Sequence, residues 1–479
     1  MIQDRTVVIV GAGPAGMSAA VTLAECGLRT TVVDANADTG GQIYRQAPPT
    51  FQTADSPDTT SKALPGVRLR QRFQDLAEFI EFSQSTKVWG VFDKRRLAVT
   101  TASGWQMIDA ERLILAPGAY EFVPPFPGWT LPGVMTPGAA QVMIKSMHIA
   151  PSGRVLVAGT GPFLLVVANC LHDAGVEVVG VVECVRRTET IRSLPSLLNE
   201  PGLLRQGWRY IQRLRRAGIP IHTGHVVVGA EGGESVKRVA LAPCDLEWRP
   251  DTSRVKTIDV DTLCVGYGFV PQTELAQLAG CEMRWADELG GWIPRVDENQ
   301  ATSESGVWVA GDGGGVAGAA VAEDEGTLAG LAVARDYGAL NHDSFQRLRQ
   351  PVIRRMKRLR RFRRGLDKLS RIRPGLSELA CQDTLVCRCE ELKRGEVEAA
   401  IAAGCTTNRT LKVATRLGMG QCQGRMCWPA MARFVAMKTG KPTSEIGGRS
   451  VRPPIVPVTV GELSEMEFID TIAQGDRSR

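Results

Sequence analysis

Residues 6–16 read Thr6-Val7-Val8-Ile9-Val10-Gly11-Ala12-Gly13-Pro14-Ala15-Gly16, and this stretch decides the fold. The apolar run suits a strand buried on both faces. The glycines follow it and open a helix that runs to about Cys26 and is stopped by Gly27. A second strand, Thr30 to Val33, ends in Asp34. Strand, G-x-G-x-x-G, helix, strand and acid in that order predict a dinucleotide-binding unit. Gly11 permits the tight turn, Gly13 lets backbone approach a pyrophosphate, and Gly16 lets helix and strand pack closely. Pro14 and Ala15 begin the helix, whose N-terminus attracts phosphate, and the Asp34 carboxylate can accept ribose hydroxyls.

A second unit of the same kind starts at Arg154. Val155-Leu156-Val157-Ala158 leads to Gly159-Thr160-Gly161-Pro162, and Val178 to Val182 runs into Glu183. Its third glycine position is Leu164, which predicts a helix held away from the strand and a weakened pyrophosphate site. Two readings stay open for it, a domain retained as scaffold and a residual adenine-nucleotide site. Two such units in 479 residues predict an α/β chain with two Rossmann-like domains.

The rest of the chain bears on which dinucleotide binds first. Gly40-Gly41-Gln42 follows the acid closely. Leu113-Ile114-Leu115-Ala116-Pro117-Gly118-Ala119 resembles the strand-to-loop motif of flavoproteins with two dinucleotide domains. Val307 to Asp312 resembles their second FAD motif, in which the Asp holds the ribityl chain or the pyrophosphate, and Gly318-Ala319-Ala320 starts a helix aimed at the flavin. The resemblance implies FAD, held by Gly11, Gly13, Pro14, Ala15, Gly16, Asp34, Gly41, Gln42, Ala116, Gly118, Gly311, Asp312, Gly318 and Ala319. It also implies an FAD domain split between 1–126 and 301–338, with an NAD(P)-type domain at 127–300. No Cys-x-x-Cys occurs, which excludes a thioredoxin-reductase-like disulfide relay.

Of twelve cysteines, four are grouped: Cys387-Arg388-Cys389 and Cys422-Gln423-Gly424-Arg425-Met426-Cys427. Zinc knuckles usually space their cysteines two to four apart, so a C-x-C pair favours an iron–sulfur cluster. With two ferric irons and two sulfides, four thiolates carry a charge of about −2, which suits the nearby Arg388, Lys412 and Arg425. Gly418, Gly420 and Gly424 let backbone N–H groups approach the sulfurs, which raises the reduction potential. Residues 379–440 resemble the bacterioferritin-associated-ferredoxin-like (BFD-like) [2Fe-2S] domain, a small helical fold. That family often has C-x-x-C as its second pair, where this chain has four intervening residues. Cys381 and Cys405 are the alternative ligands.

The net charge of +6 is unevenly spread. Thirteen Lys/Arg and one acid, Asp367, fall within 347–373, so that window carries +12 and the remainder −6. Ile353, Met356, Leu359, Phe362, Leu366 and Leu369 recur at helical spacing, which predicts a basic helical linker over 339–378. Three readings of its charge are open: a solvated linker, docking on an acidic partner, or contact with an anionic membrane surface. Neither a reading motif nor interleaved aromatics accompany the charge, so no nucleic-acid partner is expected. Residues 441–479, with Arg452-Pro453-Pro454 and Pro457, predict an extended tail. With no apolar run of membrane-spanning length and no leader pattern, the expectation is a cytoplasmic chain, with peripheral contact at the inner membrane face left open.

Taken together, the chain resembles the α (A) subunits of multi-subunit FAD-dependent amino-acid and opine dehydrogenases, the group of the opine oxidases, D-hydroxyproline dehydrogenase and hydrogen cyanide synthase. The resemblance implies a partner β subunit of the D-amino-acid-oxidase type that oxidises the substrate, a small γ subunit, an FMN between subunits, and a respiratory or soluble electron acceptor. It leaves this chain the relay of electrons and no catalytic acid or base. The competing expectation is a stand-alone NAD(P)H-dependent FAD/[2Fe-2S] reductase.

Overall fold

The computed structural model describes residues 7–46 and 65–464, so the loop expected at 48–62 and the end of the tail lie outside the described residues. The first strand, Val7–Val10, is buried at every position and is central in a five-stranded parallel sheet. Thr30–Val33 and Ile80–Ser83 lie on one side of it, Arg112–Leu115 and Val307–Val309 on the other. Residues near 30 and near 307 thus share one sheet, although most of the chain runs between them. Val7 and Ile9 pack in one core and Val8 and Val10 in another, so both faces of the strand are covered and it reads as continuous Val/Ile rather than as an alternation. A three-stranded antiparallel meander, Lys87–Phe92, Arg96–Thr101 and Gly104–Asp109, is appended to this body.

The second parallel sheet has Arg154–Gly159 at its centre, between Glu177–Glu183 and Thr262–Gly266, with Ile221–Thr223 and Val134–Met135 at the edges. The chain crosses between the two bodies on a two-stranded antiparallel ribbon, Ala119–Glu121 with Phe269–Pro271.

Two helices of the first body meet through glycines. Pro14–Glu25 is crossed by Ala319–Asp336, where a Cβ on Gly326 would stand 2.0 Å from the Ala15 carbonyl oxygen. Only glycine admits that approach.

The basic segment is one helix, His342–Ser370, ending three residues before the expected Arg373-Pro374-Gly375 stop. Ile353, Met356, Leu359 and Phe362 are buried as the spacing predicts, while Leu366 and Leu369 are half-buried. The helix does more than link. Ile353, Met356 and Leu359 pack on Val321 and Leu328 of the first body, and Gly365 receives Ser196 and Leu197 of the helix Arg187–Leu197 in the second. Much of its charge is answered internally, by Arg349–Glu298, Arg355–Asp324, Arg358–Glu200, Arg360–Glu325 and Arg363–Asp367. Arg354, Lys357, Arg361, Arg364 and Lys368 are exposed, recur every three or four residues, and make no ion pair among the described residues.

The cysteine-bearing module comprises Arg394–Ala402, Asn408–Thr415 and Trp428–Thr439 with a short hairpin, Leu385–Cys387 and Leu392–Lys393. Its apolar core is continuous with that of the second body, from Phe122 and Phe126 to Phe434 and Val435. The described part of the tail is largely irregular, apart from the short helices Thr443–Ile446 and Val460–Ser464, where extended chain was expected throughout. No helix among the described residues is long and apolar enough to cross a membrane.

Candidate functional site

The first glycine turn is shaped by contacts that no side chain could share. Gly11 has φ +102°, and a Cβ there would stand 2.2 Å from the Ala116 carbonyl oxygen. A Cβ on Gly16 would stand 1.7 Å from the Gly11 oxygen, so the helix lies directly on the turn. Gly41, at φ +58°, backs onto Gly13, where its Cβ would meet the Gly13 Cα at 2.9 Å. Asp34 is buried, and its carboxylate accepts the Ala12 N–H at 2.6 Å and the Asn36 N–H at 2.7 Å. Gln42 accepts from Arg45 at 3.1 Å. Ala116 donates its N–H to the Val10 carbonyl at 2.8 Å, and Gly118 accepts from the Gln272 N–H at 3.0 Å.

Asp312 accepts the N–H groups of Ala317 and Gly318, at 2.9 and 3.1 Å, through one oxygen, which fixes the entry of the helix starting at Ala319. Beneath it the buried Glu325 accepts the Gly311 N–H at 3.0 Å and faces Arg360 at 3.2 Å. The cradle that a Cβ would fill, the buried carboxylate at its edge and the helix N-terminus fit an adenine dinucleotide.

In the second unit Gly161, at φ +96°, donates its N–H to Glu183 at 2.9 Å, and burial pushes the Glu183 carboxyl up. Leu164 is buried in the core between helix and sheet. A Cβ on Gly161 would meet Ser370, at the end of the long helix, at 3.9 Å.

The thiols meet in two pairs, Cys387 with Cys427 and Cys389 with Cys422. Contact with Cys427 holds the Cys387 thiol down at about 6, against the opposing effect of burial. The N–H groups of Glu390, Gly418 and Cys389 act in the same direction. The same contact raises the Cys427 thiol, so the two sulfurs behave as one coupled pair. Gly420 is required by space, since its Cβ would stand 2.1 Å from that of Cys389. Of the three glycines expected to admit N–H groups to sulfur, Gly418 does so. A Cβ on Gly424 would meet Arg449 and Gly418 at 3.2 and 3.5 Å. Two dithiol pairs suit two irons, each needing two thiolates. Cys381 contacts Thr384 Oγ1 at 3.1 Å and Cys405 packs on the apolar core, so neither joins a pair.

The cysteine loop is tied to the first body by a buried ion triad at Glu274, which opens the short helix Glu274–Leu278; its Leu275 and Ala276 pack in the core of the first sheet, although the sequence placed them in the second domain. Glu274 is 3% exposed and receives Arg425 at 2.7 Å and Arg449 at 2.8 Å. Burial alone would raise its carboxyl, but the two guanidinium groups outweigh that and hold it below its ordinary value. Tyr120, on the crossing ribbon, is half-buried, with its hydroxyl enclosed near the same groups and Cys422.

The pattern of the pyridine nucleotide-disulphide oxidoreductase family matches residues 5–326, and that of the BFD-like [2Fe-2S] binding domain matches residues 385–437. The chain belongs to the pyridine nucleotide-disulphide oxidoreductase family. Within it, the chain is 36% identical over 458 residues to hydrogen cyanide synthase subunit HcnB of Pseudomonas aeruginosa, covering 94% of this chain and 96% of that protein. It is 34% identical over 480 residues to the opine oxidase A subunit of Agrobacterium tumefaciens, covering 96% and 91%. The crystal structure of L-proline dehydrogenase from P. horikoshii superimposes with a TM-score of 0.67 at 23% identity, over 96% of this chain and 79% of that one, a likeness of fold. This pyridine nucleotide-disulphide oxidoreductase homologue is therefore an FAD and [2Fe-2S] oxidoreductase subunit of α/β architecture. Its named relatives are subunits of multi-subunit enzymes.

The sequence motifs do not point to Glu325, Glu274, Arg449 or Ser370. Glu323-Asp324-Glu325 in an otherwise apolar helix was the available signal for the first. Burial pushes the Glu325 carboxyl up to about 7, against the pull of Arg360 and of the Gly311 N–H. A carboxyl raised on folding lends stability that is present below its unfolded value and lost as pH rises through the folded one. The burden at pH 8 is ~3 kcal/mol. Glu325→Gln keeps an acceptor for Gly311, so its melting temperature relative to the parent should climb between pH 5 and pH 8. A pH-independent difference in paired thermal melts would refute this.

Proposed function

We infer that the chain is the electron-relay subunit of a heteromeric dehydrogenase that oxidises a C–N bond of an amino acid or opine. The partner is a β subunit of the D-amino-acid-oxidase type, joined by a small γ subunit, with FMN at the interface between subunits. The observation that carries this reading is the junction itself. One buried carboxylate, Glu274, joins the cysteine loop to the body that holds the dinucleotide cradle. The subunit names of relatives that align along nearly the whole chain support the same reading.

FAD accepts two electrons together and a [2Fe-2S] cluster accepts them singly, so the pair converts a two-electron oxidation into one-electron delivery. Gly11, Gly13, Pro14, Ala15 and Gly16 hold the pyrophosphate end of the FAD, and Asp34 the ribose. Gly41, Gln42, Ala116 and Gly118 line the cradle. Gly311, Asp312, Gly318 and Ala319 face the flavin side. Cys387, Cys389, Cys422 and Cys427 hold the irons. The second body, built around the sheet centred on Arg154–Gly159, is scaffold, because Leu164 fills the helix–sheet space and Ser370 stands over Gly161.

The test is anaerobic mixing. The chain alone should keep an oxidised flavin spectrum with NADH or NADPH. The complex with its oxidising subunit should bleach with an opine or a D-amino acid. Rapid bleaching of the isolated chain by low-micromolar nicotinamide would establish the stand-alone reductase instead.

A further inference from the structure

Five of the large apolar side chains exposed among the described residues fall within one short stretch, 191–208. Ile191, Leu194 and Leu198 lie on the helix Arg187–Leu197 and its cap, three and four residues apart, and are 63%, 37% and 61% exposed. On the next helix, Pro201–Arg216, Leu203 and Trp208 are 41% and 57% exposed. An amphipathic helix normally turns such a stripe inward. Here the inner side is already taken, by Ser196 and Leu197 against Gly365 of the long helix, and the second stripe points to solvent.

The rim of this patch has one sign. Arg187, Arg192, Arg205 and Arg209 are exposed and make no ion pair among the described residues. The two acids of the segment are spent elsewhere, Glu189 on Arg373 and Glu200 on Arg358. The patch also adjoins the long helix that carries the unpaired cationic stripe.

We propose that the consecutive helices 187–197 and 201–216, through their exposed apolar side chains and unpaired arginines, dock the oxidising partner subunit on a partner surface with an apolar centre and an Asp/Glu rim. This rests on the heteromeric reading above and adds where the contact lies. A Trp and aliphatic side chains ringed by arginine match the residue preference of binding hot spots. A second copy of this chain fits poorly, because a twofold contact places the patch on itself and sets arginine against arginine. A lipid surface would accept Lys as readily as Arg, whereas every cation on this rim is Arg.

The experiment uses the complex of the full chain co-expressed with its oxidising subunit. Leu198→Asp/Trp208→Asp should weaken the complex by about tenfold or more, read as a dissociation constant by sedimentation. FAD content, cluster absorption and melting temperature of the isolated chain should stay at the parent values. Arg205→Glu/Arg209→Glu should weaken it as well, and Arg205→Lys/Arg209→Lys should restore much of the affinity. Unchanged affinity in both disruptive variants overturns the proposal while leaving the heteromeric reading intact. Absence of a complex with the parent chain, together with NADH-driven turnover, sinks both. Vesicles containing phosphatidylserine serve as the third arm. Loss of vesicle binding in the variants with an intact protein complex overturns the proposal in favour of a membrane.

Discussion

A Cys387→Ser chain should be purified with its flavin and without its iron. The thiol of Cys387 sits in contact with Cys427 and is approached by three backbone N–H groups, all of which lower it. A serine hydroxyl in the same cage does not ionise at neutral pH and is a poor ligand for iron. Iron analysis and the visible spectrum should both fall to background, while FAD content stays near one per chain. Flavin bleaching by substrate in the complex should keep its rate, and reduction of a one-electron acceptor should fall to background. Acceptor reduction at the parent rate in an iron-free variant would show that the cluster lies outside the electron path.

Glu274→Gln should be the most destructive substitution outside the cofactor motifs. It leaves Arg425 and Arg449, 20% and 10% exposed, without their shared countercharge. Removing one member of a buried ion pair costs ~3–5 kcal/mol, because the remaining charge stays desolvated. The loss falls on the junction rather than on either core. Cluster absorption should therefore be lost at a lower temperature than FAD is released, where the parent loses both together. Because the Glu274 carboxyl is lowered on folding, its contribution is present above its unfolded value and disappears as pH falls through the folded one. Replacement by Asp should recover part of the loss. Coincident, parent-like transitions in Glu274→Gln would show the triad to be dispensable.

The parallel bodies were legible because a glycine turn is a local event. Gly11, Gly13 and Gly16 need only about ten residues of context to announce a strand, a turn and a helix. The cysteine quartet was legible for the same reason, as type and spacing within two short segments. Glu274 and Arg449 were not, since they lie 175 positions apart and each alone is an ordinary charged residue. Only tertiary packing makes them a pair. The long helix falls between these cases. Its apolar stripe was plain in the sequence, but which of its cations are answered depends on Glu298, Asp324, Glu325 and Glu200, scattered across both bodies. The exposed stripe on the helix 187–197 was equally invisible, because periodicity marks a face without saying whether anything covers it.

The segment after the cysteine module has a further consequence, which concerns timing. Arg449 reaches Glu274 and the Gln423 carbonyl, Pro454 accepts from the Gln423 side chain, and Ile455 accepts from Arg425 and donates to the Trp89 carbonyl. Arg449, Pro454 and Ile455 all leave the ribosome after Cys427. The flavin body and all four thiols are therefore synthesised before the clasp that fastens one to the other. Iron delivered before the clasp closes meets a loop still free to open, and iron delivered afterwards meets a locked one. The clasp is thus the last part of the site to be made, and a chain cut before Arg449 should lose its cluster more readily than the parent.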